Sequence, residues 1–259
     1  KIAPAYLRRN QEDVLTELPE LTQVDEWVAL EGVDARHYEA AVVDGNFMAM
    51  RQAAFRDPQS AKLRRLKEVV EEAEENNRKV LVFSFFRETL AMVADGLSGA
   101  IYGPLTGSIS PAARQEIIDR FSAAPGGAVL ASQISVGGVG LNIQAASVVV
   151  ICEPQLKPTA EWQAISRAHR MGQLQHVQVH RLLSEEGIDP KLVEILASKA
   201  QEFSDYAQMS ETAAAAPEAV DATDAELAKQ LIAEERQRIH GLQSGHETTD
   251  SEMFTDPAA

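Results

Sequence analysis

Between Phe121 and Cys152 the chain runs for 32 residues without one charged side chain. Two apolar segments lie inside it, AVLAS at 128–132 and SVVVIC at 147–152, joined by a stretch rich in Gly, Ser, Gln and Asn. That polar joint, with Pro125, excludes a membrane helix, and no apolar run in the chain reaches the roughly 18 residues a span requires. A strand lacking polar alternation must be buried on both faces, the situation of a parallel sheet covered by helices on either side. The fold class predicted is therefore α/β.

The surrounding pattern agrees with that class. VLVFSFF at 80–86 reads as a third buried strand, Ala100–Tyr102 as a short one, and VQVHRLL at 177–183 as another. Helical spacing separates them at 87–98, from Pro111 to Ala124, from Pro158 to Met171, and at 189–206. Upstream, 1–20 predicts a short helix, Thr22–Leu30 a strand and 34–56 a helix weakened at Gly45. Residues 59–77 predict an amphipathic helix with Leu63, Leu66, Val69 and Val70 inward and the acids of 71–75 solvated. Past Tyr206 the composition becomes that of a linker (ETAAAAPEAVDATDAE), with one exposed helix expected at 224–240 and disorder at 241–259. The implied organisation is a linking segment 1–57, a lobe 58–206 and an acidic tail 207–259.

Charge narrows the function. Lys and Arg number 24 against 39 Asp and Glu, a net of −15, yet the lobe is neutral and the tail from 201 carries −10. No broad basic face is available for nucleic acid, so a bound polyanion must be held by local groups. The single Cys152 excludes a disulfide framework and fits a reducing, cytoplasmic setting. Its place inside a strand predicts a small buried residue. His169, His176 and His180 lack metal-ligand spacing, and neither Ser84 nor Ser132 sits in a glycine elbow. Phe83, Phe85 and Phe86 read as core. The start at Lys1, in mid-pattern, suggests a piece of a longer chain.

Three segments carry chemistry. SQISVGGVGLN at 132–142 places Gly137, Gly138 and Gly140 after a strand, where bare backbone can approach a ligand or simply turn. LTGSIS at 105–110 combines Gly107, Ser108 and Ser110 with a helix start, either a phosphate site or a plain cap. Gln163, Arg167 and Arg170 fall on one stripe if the Pro158 helix is continuous, with Trp162 and Ile165 anchoring it in the core. Two guanidiniums on one face suit charge developing on a transferred phosphoryl group, or else surface ion pairs.

Taken in order, KVLVFSFF, LTGSIS-x-x-x-R, ASQISVGGVGLNIQAA and CEPQLKPTAEWQAISRAHRMGQ resemble the second RecA-like lobe of Swi/Snf-type helicase-like ATPases. AYLRRNQEDVLTELPE resembles the family's approach to that lobe, and the EPQLKP and EWQAI wording is most similar to bacterial members. The resemblance spans about residues 5–200. It implies a RecA-like parallel sheet, ATP hydrolysis in a cleft between two lobes, and movement along duplex DNA. ATP and magnesium would be bound mainly by a first lobe, the principal partner. Arg167 and Arg170 would serve as arginine fingers oriented by Gln163. Gly138, Gly140 and Asn142 would couple nucleotide to DNA. Gly107, Ser108, Ser110, Ser132, Gly137 and Lys157 would face the DNA backbone.

The chain departs from the family in having Gln133, Ile134 and Ser135 for a common Ser-Thr-Arg, and Leu156 for a common Trp, which removes a cation and an aromatic ring. No Gly-Lys dipeptide occurs, so the phosphate loop is missing. Asp25-Glu26 imitates the metal-binding acid pair without its apolar strand. The expectation is half an active site, inactive alone. The rival readings are a degenerate lobe kept as a protein-interaction module, with the acidic tail as its contact, and an RNA-directed helicase of the same superfamily.

Overall fold

A computed structural model of the chain describes residues 18–136, 142–209 and 224–251. The expected helix over 1–20 lies almost wholly outside these residues. Elements follow in the order β1 (Leu21–Val28), α1 (Gly32–Val43), α2 (Phe47–Gln52), α3 (Ala61–Glu75), β2 (Val80–Ser84) and α4 (Arg87–Gly96). Then come β3 (Ile101–Leu105), α5 (Pro111–Ala123), β4 (Val129–Gln133), β5 (Val148–Ile151), α6 (Pro158–Ile165), β6 (Val177–Ser184), α7 (Ile188–Met209) and α8 (Asp224–Ser251).

The six strands form one parallel sheet in the order β1-β6-β5-β2-β4-β3. Every residue of β2 and β5 is buried, as their uninterrupted apolar runs require. Alternate residues feed two cores. Leu81, Phe83, Leu130, Val149 and Ile151 pack with Ile118 and Phe121 of α5 and Ala164 and Ile165 of α6. Val80, Val82, Val129, Val148 and Val150 pack with Leu63, Leu66, Val69 and Val70 of α3 and Val93 of α4. From β2 the chain builds outward to β3 and back to β4, then crosses β2 to reach β5 and β6. The carboxyl ends of β2, β4 and β5 therefore meet at a topological switch point, where open α/β sheets form their ligand crevice.

Two expectations are corrected here. β1, from the segment read as a link, is the edge strand of the same sheet, paired with β6 from Leu21↔Val177 to Val28↔Ser184. Asp25 is held there by both guanidinium arms of Arg181 (2.7 and 2.8 Å), and Glu26 by Arg65 and His180. Those acids are sheet ion pairs, and the Arg65 hydrogen bond holds the Glu26 carboxyl below its usual range against the pull of burial. The tail helix, expected exposed over 224–240, runs to Ser251 and is docked. Leu227 and Leu231 are buried with Tyr38, Ala41 and Val42 of α1 and Leu192 of α7. Arg236 donates to the carbonyls of Val42 and Val43, capping α1 at its open end. Leu227 and Leu231 lie four apart, one helical turn, and with Ala228, Ile232 and Ile239 they form the apolar face that binds the helix to the lobe.

Candidate active site at the carboxyl edge of the sheet

The segments that follow β2, β3 and β5 lie at this edge, and the turn after α6 reaches it through Arg167, whose Nη2 donates to the Ile134 carbonyl past β4. After β3, Gly107, Ser108 and Ser110 lie exposed together. Ser110 caps α5 by accepting from the Ala113 N–H, and Ser108 Oγ lies 2.8 Å from Thr106 Oγ1. Arg114, one turn into α5, donates to the Gly107 carbonyl (3.1 Å) and keeps a buried Nε without a partner. The loop is thus pinned from behind, and both serine hydroxyls are engaged within it although the residues themselves are exposed.

After β5, Glu153 is 1% exposed and accepts from Phe85 N–H (2.6 Å), Ser84 Oγ (2.9 Å) and Gln155 Nε2 (3.2 Å). Burial raises its pKa above the usual carboxyl range despite these donors and the nearby Arg51. Arg51, also buried, donates to the Pro154 carbonyl and lies over the rings of Phe85 and Phe86. Phe83 and Phe86 are core, whereas Phe85 is half-exposed above Arg51. Glu153 ties the end of β2 to the end of β5 across the switch point. Sequence reasoning passed over it, although it is the first charge after the uncharged stretch and therefore had to be paired or neutralised. Cys152 is buried, its thiol pushed well above the usual range by burial.

The largest correction concerns the helix from Pro158. It ends at Ile165, not Met171, and 166–172 is a succession of tight turns. Arg167 N–H bonds back to Ala164, Ala168 N–H to Ile165, and Gly172 takes a positive φ of 95° that closes the turn. Gln173, buried, donates to the carbonyls of Ala168, Gln144 and Ala146. Gln144 donates in turn to the Met171 carbonyl and accepts from Asn142 Nδ2. These side-chain bonds replace the backbone ladder a longer helix would have had.

Gln163, Arg167 and Arg170 consequently do not share one helical stripe. Gln163 is exposed on α6 and Arg170 exposed on the turn, where its side chain has no hydrogen-bond or ion-pair partner among the described residues. Arg167 is half-buried and bonded inward, to the Ile134 carbonyl, with burial lowering its pKa. From so high a starting value it stays protonated. Ile165 is in the core as expected, but Trp162 is 50% exposed and anchors nothing there. Ser132, expected to face DNA, is wholly buried in β4 and donates to the Gln133 carbonyl, which withdraws it from any surface. Lys157 is exposed at the start of α6, with Nζ 3.8 Å from Asp224 of α8. Asn142 is exposed beside the turn, while Gly137, Gly138 and Gly140 lie outside the described residues. The histidines are structural: His169 bonds the Pro19 carbonyl, His176 Thr22, and His180 Glu26. Among the described residues no group of three His, Cys, Asp or Glu side chains is placed to hold a metal ion.

The parallel sheet with its switch-point crevice, capped serine loop and side-chain-wired turn makes a RecA-like α/β lobe. Residues 61–172 match the helicase conserved C-terminal domain, and the fold is like that of solved Swi2/Snf2 ATPase lobes. The chain is similar to the C-terminal part of the Fun30 ATPase domain, with a TM-score of 0.68 at 17% identity, covering 86% of this chain and 99% of that one. The Swi2/Snf2 ATPase core of Sulfolobus solfataricus, solved in complex with double-stranded DNA, gives 0.60 at 22% identity, over 77% and 49%. In sequence it is 29% identical over 226 residues to an uncharacterized ATP-dependent helicase of Mycoplasma pneumoniae, covering 77% of this chain and 22% of that protein. It is 31% identical over 143 residues to the CHD3-type chromatin-remodeling factor CHR7 of Arabidopsis thaliana, covering 54% and 12%. The chain thus spans about a fifth or less of the length of these two relatives.

Proposed function

We propose that the chain is the carboxyl-terminal motor lobe of an ATP-dependent, Swi/Snf-type DNA translocase. One observation carries the reading: Arg170 is exposed and unpaired among the described residues, on the turn after α6 that Gln173 and Gln144 tie to the segment entering β5. Such a cation is pre-positioned for an anion supplied from outside the lobe. A first lobe would present the nucleotide, and Arg170 offsets the charge that builds on the transferred phosphoryl, a contribution of about 10³–10⁵ in rate. Gln163, exposed on α6, would orient that contact. The first lobe would hold magnesium, and this chain alone would not hydrolyse ATP.

The DNA-facing groups are the exposed residues Gly107, Ser108 and Ser110, whose loop would meet phosphate without net positive charge, together with Lys157, while Asn142 would couple nucleotide to DNA. The double-stranded DNA held by the Sulfolobus protein of like fold supports duplex DNA as the track. The test joins the chain to its first lobe and measures ATP turnover with duplex DNA, single strands and RNA. Strong stimulation by duplex, lost on Arg170→Ala, is expected. No stimulation by any polymer would establish the interaction-module reading instead, and preference for RNA would overturn the DNA assignment. Hydrolysis by the purified 259-residue chain would refute the division of the site between lobes.

A further inference from the structure

The carboxyl edge of the sheet has a second end. β1 is parallel to the other strands, so its last residue, Val28, opens onto the same edge as the serine loop after β3. A cavity of about 580 Å³ lies there, between the start of α1 and the start of α3. Its charged walls are Arg36 of α1, Arg64 and Arg65 of α3, and the acids Glu31, Asp34 and Glu68. Half of these charges are already committed. Arg65 is paired with Glu26, Glu68 and Glu72. Asp34 accepts from Ser60 Oγ (2.6 Å) and from the Ala61 N–H (2.8 Å), so it caps α3 and not its own helix. Arg36 and Arg64 are exposed, and neither side chain has a hydrogen-bond or ion-pair partner among the described residues. Glu31, likewise exposed, is the opposing charge on the wall.

Folding gives no reason for this placement. Arg64 is the fourth residue of α3 and Arg36 the fifth of α1, close to helix amino termini, where the backbone dipole disfavours a cation. In a chain of net charge −15, two unpaired arginines from separate helices nonetheless converge on one hollow. We propose that this hollow is a phosphate-binding site, with Arg36 and Arg64 as its ligands, and that it holds the backbone of the duplex whose other contact is the serine loop. The DNA occupant rests on the motor-lobe reading; the anion chemistry does not. β1 and β3 are five strand intervals apart, at most about 24 Å, or roughly seven base pairs of rise. One duplex therefore reaches both ends of the edge, and two small local sites take the place of a broad basic face.

The experiment uses the full-length protein with its first lobe and no nucleotide, so that binding is read apart from turnover. Anisotropy of a labelled duplex is measured from about 50 to 200 mM salt for the parent and for the double variant Arg36→Ala/Arg64→Ala. Losing two phosphate contacts should make the slope of log K against log salt shallower by about 1.8, so the parent's lead shrinks about tenfold across that range. Lys191→Ala/Lys229→Ala, which removes the same charge from α7 and α8, should keep the parent slope, and Glu31→Gln should bind duplex more tightly. Calorimetry with inorganic pyrophosphate separates the two sources of phosphate. Pyrophosphate binding lost in the double variant with an unchanged duplex slope would keep the anion site and overturn its DNA occupant. A parent that binds pyrophosphate and no duplex would keep the site while sinking the DNA reading of the lobe. Equal slopes with equal pyrophosphate affinities would overturn the proposal. So would a clear drop in Tm of the double variant, because relieving two cations near helix amino termini should leave Tm level or higher.

Discussion

Lys62, the second residue of α3, is 1% exposed, and its Nζ sits 2.5 Å from Oδ2 of Asp189, which is 3% exposed in the first turn of α7. The same oxygen accepts from the N–H of Ser184 at the end of β6, so the pair joins α3, β6 and α7 beneath the linking segment. Lys62→Met keeps the length and apolar stem of the side chain but strands the carboxylate, with the Ser184 N–H its remaining hydrogen-bond donor among the described residues. Breaking one side of a buried pair costs about 3–5 kcal/mol, and attraction at contact distance under an effective dielectric near 20 is of similar size, about 4 kcal/mol. At an m-value near 3 kcal/mol/M the urea midpoint should fall by roughly 1–2 M, and Tm by roughly 6–20 °C for a domain of this size. Adding Asp189→Asn removes the stranded charge while keeping an acceptor for Ser184, so the double variant should return to within about 2 kcal/mol of the parent. Urea unfolding followed by far-UV circular dichroism measures all four corners of the cycle. A loss below about 1 kcal/mol for Lys62→Met, or a double variant as unstable as the two singles added together, would refute the argument.

Three further outcomes follow from packing and charge. Because burial raises the Glu153 pKa, the folded state holds that proton more tightly than the unfolded chain, and this residue's contribution falls as pH rises above its ordinary value of 4.5. Glu153→Gln should therefore gain on the parent as pH rises from about 4.5 toward the raised value, by at most about 1.4 kcal/mol per pH unit; a difference in unfolding free energy that stays flat with pH would contradict it. Gly126→Ala would set its methyl 2.6 Å from the backbone of Asn77, forcing apart the turns that lead into β2 and β4, and should cost about 1–3 kcal/mol in a chemical melt. Leu231→Ala, at a site 1% exposed, should cost at least about 2 kcal/mol and release exchange protection in 224–240 while sparing β2 and β5. Unchanged protection there would mean α8 is not held by that contact.

The sequence showed most where burial was total. β2, β4 and β5 were readable because a strand covered on both faces admits no polar alternation, and α3 because Leu63, Leu66, Val69 and Val70 mark one face. α6 was overextended because RAHRMGQ has acceptable helix formers up to Gly172. What ends the helix is a tertiary contact, the side chain of Gln173 taking carbonyls 27 and 29 residues upstream in the chain, and no local pattern announces it. β1 was legible as a strand but not as a member of the sheet, since its ties run through Arg181 and Arg65, more than 35 residues away. α8 was misjudged because two leucines in a strongly acidic helix are a weak stripe, and only α1 and α7, folded beside it, give them somewhere to go. Of the candidate site residues, Gly107, Ser108 and Ser110 share one exposed loop, because a cap and a turn are local events. Ser132 is buried because β4 is covered on both faces.

These misses share a cause that bears on how the lobe works. An edge meant to meet a second body cannot complete its own electrostatics, and here the charge is sorted by how firmly it is satisfied. Asp25, Glu26 and Lys62 are each closed by a partner within the lobe. Glu153 is satisfied by donors at the crevice itself, and Arg167 is engaged at Nη2 by a carbonyl and over a ring, its buried Nη1 being without a partner among the described residues. Arg170 is left without such closure among the described residues. A lone solvated guanidinium contributes little to folding; the bonds of Gln144 and Gln173 beneath it satisfy backbone carbonyls that the early end of α6 leaves open, and they fix the turn that carries it. Holding a cation in one place against the cost of ordering it is worthwhile when a charge arrives that must be met without delay, and such preorganisation is what electrostatic catalysis demands of a donor.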